Sequence, residues 1–322
     1  MHLLLVLFMG DFKIKEAPFF DPQALRIGTN GTLMVPDASE HVVFVFDVNG
    51  HLVKQIGRQG QGPGEFQHPT DVGVLKDSRF VVVDSGNSRI QFFTAEGNYD
   101  TSFQLSAHGL GRLQVLEDQT LLLTETNGFQ FSLRMGGGDE DHRRLFYVHD
   151  LKGQQLRAFG DLIEHENPFL AIQLNQGPIA VFGSRIYSAR TLENKVLAFE
   201  GDRVSTIQYP LTFVPEEPQA ETKSTTNAKG ETSFFMSVSM EPVCMGMCLG
   251  KPDHLLILRA NGHPAPDSDG SSSTLIEVDL NGNVTRTFDG SYLARAVVAS
   301  PDRRYAYVLH EADDWTITRI DL

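Results

Sequence analysis

Cysteine is scarce in this sequence, which has two cysteines and one tryptophan among its 322 residues. Two cysteines in so long a chain cannot form the framework of disulfides that holds small secreted domains together, and they leave the redox compartment open. Long apolar runs are also lacking, because no stretch approaches the roughly 20 apolar residues of a membrane-spanning helix. The sequence therefore predicts no disulfide scaffold and no membrane span.

Positive charge is the next shortage, with 27 Lys and Arg against 41 Asp and Glu and a formal net charge of −14. Proteins that bind nucleic acids draw most of their affinity from Lys and Arg that neutralise phosphates. A chain with this surplus of carboxylates is therefore not expected to have a nucleic acid as its partner.

Common catalytic motifs are absent as well. The sequence contains neither a Gly-x-Ser-x-Gly nucleophile elbow nor a His-Glu-x-x-His zinc motif. The glycine run that begins at Gly136 is not followed by the Lys-Ser/Thr of a phosphate-binding loop. These absences favour binding over catalysis.

The most informative stretch that is present runs from Gly57 to Gly97 and continues into a fourth apolar run. Short β-patterned runs at Thr70–Leu75, Arg79–Val83, Arg89–Thr94 and Tyr99–Leu105 are separated by turn formers. Four antiparallel strands with tight turns leave both sheet edges open, so this unit is expected to occur in several copies.

A second copy precedes it at a spacing of 47 residues. Without a gap, Pro22 to Gly50 aligns with Pro69 to Gly97, and the alignment places Asp37 on Asp84, Val43 on Ile90 and Phe46 on Phe93. A period of about 40 to 50 residues with four strands per unit is typical of a β-propeller blade.

The remaining chain extends this pattern to six units. The last unit has three runs, at Ala294–Ala299, Tyr305–Glu311 and Trp315–Asp321. Leu5 to Met9 corresponds to the outermost run Leu52–Ile56, so the N-terminus is expected to supply the missing strand. The sequence thus predicts an all-β, six-bladed β-propeller of four-stranded antiparallel blades, closed by its N-terminal strand. Residues 1–322 form a single domain in this prediction, with a mobile insertion at about 215–233 that lacks apolar periodicity.

A family resemblance follows from the residues of the second unit. The run GxGPGEFxxPxxVxV, followed by VVDSGNSRIQFF and a glycine turn, resembles the NHL repeat of six-bladed and related β-propellers. Asp84, Asn87 and Arg89 match the Asp, Asn and Arg of that pattern, and we interpret them as architectural, because short polar side chains in turns bond to nearby backbone. The resemblance favours a bacterial protein located in the periplasm or outside the cell, whereas the acidic composition is equally compatible with the cytoplasm.

The first functional hypothesis is a binding scaffold without catalytic activity. Long loops vary between the units while the strand pattern repeats, and binding residues usually lie on loops held by a rigid frame. The predicted contacts at the mouth of the central channel are His68, Asp71, His108 and Arg112. The expected partner is a protein or another extended ligand bound by a monomer, with no cofactor.

The alternative is a metal-dependent lyase or hydrolase at the same mouth. His68, His108 and His165 each lie in a connection from an outer strand to the next inner strand, where three imidazoles could hold zinc with an open position. This arrangement resembles the lyase half of peptide-amidating enzymes, to which the element His108-Gly109-Leu110 is similar. Scattered, solvated loop histidines are the competing interpretation.

Two further clusters contain potential metal ligands. Cys244 and Cys248 lie among methionines, but residues four apart on one face of a strand are about 13 Å apart, too far for a disulfide or a shared copper ion. Asp267 to Gly270 begins like a calcium-binding loop but lacks its closing glutamate. Calcium therefore belongs, with zinc, to the enzyme alternative only.

Overall fold

The computed structural model describes residues 13–14, 19–105, 110–125, 144–165, 167–226, 232–262 and 272–322. These residues form six four-stranded antiparallel sheets and one separate two-stranded hairpin. The prediction of an all-β propeller with six four-stranded blades is confirmed.

Strand β1 (Lys13–Ile14) precedes two complete blades along the chain. In each blade the first strand is innermost and the fourth is outermost. Blade 1 contains β2 (Arg26–Ile27), β3 (Leu33–Asp37), β4 (Val42–Phe46) and β5 (Leu52–Ile56), and blade 2 contains β6 (Pro69–Val74), β7 (Phe80–Asp84), β8 (Arg89–Phe93) and β9 (Tyr99–Gln104).

Blades 3 and 4 repeat this order, with a short helix between them. The strands of blade 3 are β10 (Leu110–Val115), β11 (Leu121–Glu125), β12 (Phe146–His149) and β13 (Gln155–Phe159); α1 (Pro168–Asn175) leads to blade 4, with β14 (Ile179–Phe182), β15 (Arg185–Ala189), β16 (Lys195–Glu200) and β17 (Arg203–Gln208). In the described part of the chain, no helix has the length and apolar character needed to cross a membrane.

The last two blades follow the inserted hairpin. The hairpin is β18 (Gln219–Thr226) and β19 (Thr232–Ser239); blade 5 contains β20 (Cys244–Leu249), β21 (His254–Ala260), β22 (Ser273–Asp279) and β23 (Val284–Thr287), and blade 6 contains β24 (Leu293–Ala299), β25 (Tyr305–Glu311) and β26 (Trp315–Asp321) together with β1.

The innermost strands form a closed ring. Contacts join β2 to β6, β6 to β10, β10 to β14, β14 to β20, β20 to β24 and, finally, β24 back to β2. Each blade is therefore covered on both sides by its neighbours, and the innermost strands surround a central channel.

Burial between neighbours explains the composition of the middle strands. Every residue of β3, β4, β7 and β8 is buried, and these strands are almost continuously apolar because each of their faces packs against another blade. The outermost strand β5 instead has four exposed residues out of five. The hydrophobic core thus consists of layers between blades rather than one central cluster.

The ring closes through the N-terminal strand, as expected, but at a later position than predicted. Leu5 to Met9 lies outside the described residues, and β1 occupies the outermost position of blade 6, with Ile14 opposite Ile317 in β26. The Ile14 side chain is buried, and its carbonyl oxygen accepts a hydrogen bond from Thr316 Oγ1 at 2.8 Å. The repeat alignment located the closing strand without fixing its register.

Part of the predicted insertion at about 215–233 has regular backbone structure, which its lack of apolar periodicity did not indicate. It enters a regular antiparallel hairpin in which Gln219 lies opposite Ser239 and Thr226 lies opposite Thr232. The apolar residues of β19 begin at Phe234, beyond the predicted end of the insertion, so residues 215–233 include only part of the hairpin. Its Thr-rich strands also have high β propensity.

Closure through a strand as short as β1 should make Ile14 important for stability. We expect Ile14→Ala to lower the free energy of unfolding by about 2–4 kcal/mol, because it leaves a cavity beside β26. Urea denaturation of the full chain measures this value. Leu52→Ala, on an exposed stretch of the outermost strand β5, is the control and should cost less than about 1 kcal/mol; equal losses for the two variants would contradict the closure.

Candidate functional site

The antiparallel order of each blade divides the connections between two faces of the ring. We call the loop face the one that carries the connections from each outermost strand to the next innermost strand, together with those between second and third strands. The turn face carries the others. Every connection on the turn face has five residues or fewer, whereas the loop face carries α1, the β18–β19 hairpin and the long connections 126–145 and 261–272.

Asp71 is fully buried at the start of β6 and bonds to three blades. Its Oδ2 accepts hydrogen bonds from Arg26 Nη2 at 2.6 Å and from the Leu113 amide at 2.9 Å, and its Oδ1 accepts one from the Val72 amide at 2.8 Å. This carboxylate, predicted from the sequence to contact a ligand, is thus enclosed by groups of the protein itself. In the structure, Asp71 holds the guanidinium group of Arg26 in position through an ion pair.

Arg112 lies at a β-bulge in β10, where the register with β11 shifts between Leu110 and Leu113. A bulge directs a side chain away from the regular alternation of the strand. Arg112 Nη1 donates to the carbonyl oxygen of Gln23 at 2.8 Å, so this side chain reaches from blade 3 to the segment that enters blade 1.

Arg295 occupies a corresponding bulge in β24, between Ala294 and Ala296. Its Nη1 donates to Asp21 Oδ1 at 2.7 Å and to the carbonyl oxygen of Pro22 at 2.9 Å. Its guanidinium carbon lies 4.8 Å from the ring centre of Trp315. Arg295 was not among the residues predicted from the sequence; an arginine near the start of an innermost strand, as at Arg112, is the signal that points to it.

Arg26 completes a set that we call the channel arginines: Arg26, Arg112 and Arg295. Arg26 Nη2 donates to Asp71 and, at 3.3 Å, to the carbonyl oxygen of Leu113. Its Nε is buried and has no hydrogen-bond partner among the described residues. Arg26 was not predicted from the sequence either, because its role depends on contacts between blades.

The channel arginines influence one another electrostatically. Burial lowers the pKa of Arg112, the charge of Asp71 opposes that change, and the positive charges of Arg26 and Arg295 lower this pKa further. Like charges held this close make the channel favourable for an anion. The local charge is therefore opposite in sign to the net charge of the whole chain.

The structure describes two of the three histidines of the predicted zinc site, His68 and His165. His68 lies just before β6 with its ring 5.0 Å from that of His41, whose Nδ1 accepts the His68 amide. His165 Nδ1 accepts the amide of Asn167 in front of α1, and His108 lies outside the described residues. Within the residues that the structure describes, no group of three or more His, Cys, Asp or Glu side chains is placed to hold a metal ion.

The two cysteines are free and lie on opposite sides of β20. Cys244 packs between blades 4 and 5, whereas Cys248 packs against blade 6. The expectation that both lie on one face was wrong, because a bulge between Cys244 and Gly246 reverses the alternation. Burial raises the pKa of each thiol to about 12, so neither is a reactive thiolate near neutral pH.

The calcium-like loop Asp267 to Gly270 lies outside the described residues.

The Asp, Asn and Arg of the repeat pattern are architectural, as predicted. Arg89 Nε donates to Asp84 Oδ2 at 2.8 Å, and its other nitrogens donate to carbonyl oxygens of Gln61, Gly62 and Glu65. Asn87 Nδ2 donates to the same carboxylate at 2.9 Å. These bonds hold the connection between blades 1 and 2 against blade 2.

Comparison with known proteins identifies the family. The model of the 6-bladed beta-propeller family DUF5128 matches residues 17–240, so the chain belongs to this family. Among curated proteins, "Protein brain tumor" of Drosophila melanogaster is 25% identical over 96 residues, which are 29% of this chain and 9% of that protein. The matched part is thus a small fraction of that relative's length.

Solved structures share the architecture across nearly the whole chain. U3-55K has a TM-score of 0.59 at 8% identity and covers 96% of this chain and 98% of its own. Hydrazine synthase of Kuenenia stuttgartiensis has a TM-score of 0.54 at 11% identity, with 95% and 97% covered. A streptogramin B lyase has a TM-score of 0.55 at 11% identity, with 97% of each chain covered. At these identities the similarity shows the fold alone.

The buried position of Asp71 generates a prediction about stability. Asp71→Ala should lower the free energy of unfolding by about 3–5 kcal/mol, because Arg26 would keep its charge without its carboxylate partner. Chemical denaturation measures the change. Asp77→Ala removes an exposed carboxylate that pairs with Arg79 and should cost less than about 1 kcal/mol. Similar losses for both would show that Asp71 does not support the channel.

Proposed function

We propose that this six-bladed propeller is a non-enzymatic binding scaffold that holds an extended protein ligand on its loop face. The observation that supports this proposal most directly is the unequal length of the connections. Every long connection lies on the loop face, and every connection on the turn face is a short turn. Chain that is added to only one face of a closed ring adds binding surface without altering the ring.

Exposed apolar side chains on the loop face support the same proposal. Phe20, in the segment that leads into blade 1, is 75% exposed, and Val214, on the connection before the β18–β19 hairpin, is 87% exposed. Trp315 lies next to Arg295 at the same end of the ring. Aromatic side chains with neighbouring arginine are characteristic of the centres of protein interfaces.

We also propose that the repeats are of the NHL type. The two units with a spacing of 47 residues support an NHL-type repeat, and so does the use of Asp84, Asn87 and Arg89 to hold a connecting loop. Propellers commonly serve as platforms for other molecules, but the fold is compatible with catalysis as well.

The alternative of a metal-dependent lyase or hydrolase rests on His68, His108 and His165. Of these, His68 packs against His41, and His165 accepts a backbone amide, so neither described member points to a shared metal ion. Elemental analysis of protein purified without chelator distinguishes the two functions. Stoichiometric zinc or calcium would favour the enzyme.

Loop-face binding should depend on Phe20 and not on an equally apolar residue of the opposite face. The immobilised full chain would be used to capture a protein partner, whose affinity is then measured with purified components. Phe20→Asp should weaken binding at least about tenfold, because it places a charge at an apolar contact. Phe182→Asp is the matched control, since Phe182 is 52% exposed and lies at the turn face. Equal effects of the two variants, or loss only with Phe182→Asp, would contradict the proposal.

A further inference from the structure

We infer that the channel arginines form a binding site for a carboxylate group, which an extended ligand on the loop face inserts into the mouth of the channel. This inference rests on the proposed function, and it names the chemical group that the scaffold recognises. The candidate sources of that group are the C-terminus of a peptide and the side chain of an internal Asp or Glu.

Two of the channel arginines are held side by side by one short segment. Arg112 comes from blade 3 and Arg295 from blade 6, yet they donate to the carbonyl oxygens of the consecutive residues Gln23 and Pro22. Because consecutive Cα atoms are only about 3.8 Å apart, these bonds hold the two guanidinium groups close together. The site is therefore preorganised before any ligand arrives.

Both guanidinium groups have donors left over. A guanidinium carries five N–H donors in one plane, and in the described part of the chain Arg112 and Arg295 each use only Nη1 for hydrogen bonds to the protein. The Nε and Nη2 groups, which together form one edge of the guanidinium, match the two oxygens of a carboxylate. The Arg295 side chain is 36% exposed, so solvent and ligands reach it.

The local charges favour a monoanion. Arg26 pairs with Asp71 and Arg295 pairs with Asp21, whereas Arg112 lies within ion-pair distance of no carboxylate among the described residues. Asp71 already accepts three hydrogen bonds from the protein, and the buried Nε of Arg26 donates to no acceptor in the described part of the chain. An incoming carboxylate would supply Arg112 with an ion-pair partner.

The rest of the surface disfavours polyanions. The chain carries a net charge of −14, so a nucleic acid or polyphosphate would be repelled before reaching the channel. A single carboxylate at the end of a neutral segment avoids this repulsion. The planar, forked geometry of arginine also suits a carboxylate.

Calorimetric titration of the full chain with defined peptides tests the site. The probes are N-acetyl-tetraalanine with a free C-terminal carboxylate, the same peptide as its C-terminal amide, and an amidated version with an internal glutamate. We expect at least one carboxylate-bearing peptide to bind, and the neutral amide to bind at least about tenfold more weakly. Binding by the free acid alone identifies a C-terminal site, and binding by the glutamate peptide identifies a side-chain site.

Variants connect this binding to the channel. Arg112→Gln and Arg295→Gln should each weaken the binding of the carboxylate peptide about tenfold or more, and Arg112→Lys should weaken it less, because it keeps the charge but not the forked donors. Arg286→Gln is the matched control: Arg286 is an exposed arginine that stacks on Phe288 in the blade 5 outer region, away from the channel. Thermal unfolding identifies variants that fail to fold; if Arg112→Gln does, the partly exposed Arg295 decides.

Three results would overturn the inference: equal binding of acid and amide, no binding by any of the peptides, or equal loss with Arg286→Gln. Inorganic phosphate is the competing probe, and tight binding of phosphate without binding of the carboxylate peptides would also overturn it. Each of these results would indicate that the channel arginines serve to join the blades and do not bind a carboxylate.

The same variants separate this inference from the proposed function. A captured partner that is sensitive to Phe20→Asp but insensitive to Arg295→Gln would retain the scaffold and reject the carboxylate site. Carboxylate peptides that bind through Arg295, in a protein whose loop face captures no partner, would retain the site and reject the scaffold.

Discussion

Closure of the ring is the constraint on which the rest of this structure depends. A blade has two apolar faces and two sheet edges, and only a closed ring of blades covers the faces of every copy. In the described part of the chain, the last blade is completed by β1, which pairs with β26 through two residues, one of them the buried Ile14. Because the middle strands are covered on both sides, they are mostly apolar, and the polar side chains buried on them, such as Asp84, Arg89 and Gln91, are hydrogen-bonded to one another.

The same need for hydrogen-bond partners explains why one channel-wall residue bonds to several blades. A buried carboxylate such as Asp71 needs partners, and the nearest donors belong to the neighbouring blades, namely Arg26 and the Leu113 amide. Bulges in β10 and β24 then direct Arg112 and Arg295 toward the segment that enters blade 1. The bonds that join the blades thus also collect positive charge inside an acidic protein, and architecture and recognition draw on the same side chains.

The fold was predictable because a repeat carries information twice: the same landmarks recur at a spacing of 47 residues, and each copy has the same strand pattern. Arg112 and His68 could be assigned to one end of the ring for the same reason, since connections of a known type gather at one face. What could not be predicted depends on backbone irregularity or on distant contacts. A bulge of one residue reversed the relation of Cys244 to Cys248, and the role of Arg295 depends on Pro22, at the other end of the chain.

The loop face and the channel are physically connected through the segment that enters blade 1. Asp37 Oδ2 accepts the amides of Phe20 and Asp21 at 2.7 and 2.9 Å, so this segment is fixed before any ligand binds. Phe20 is exposed to solvent, whereas the carbonyl oxygens of Pro22 and Gln23 hold Arg295 and Arg112. An apolar anchor and a charged terminus of one extended ligand would therefore meet the protein only a few residues apart. A rigid segment with both features lowers the entropy lost on binding, because neither contact has to be ordered by the ligand.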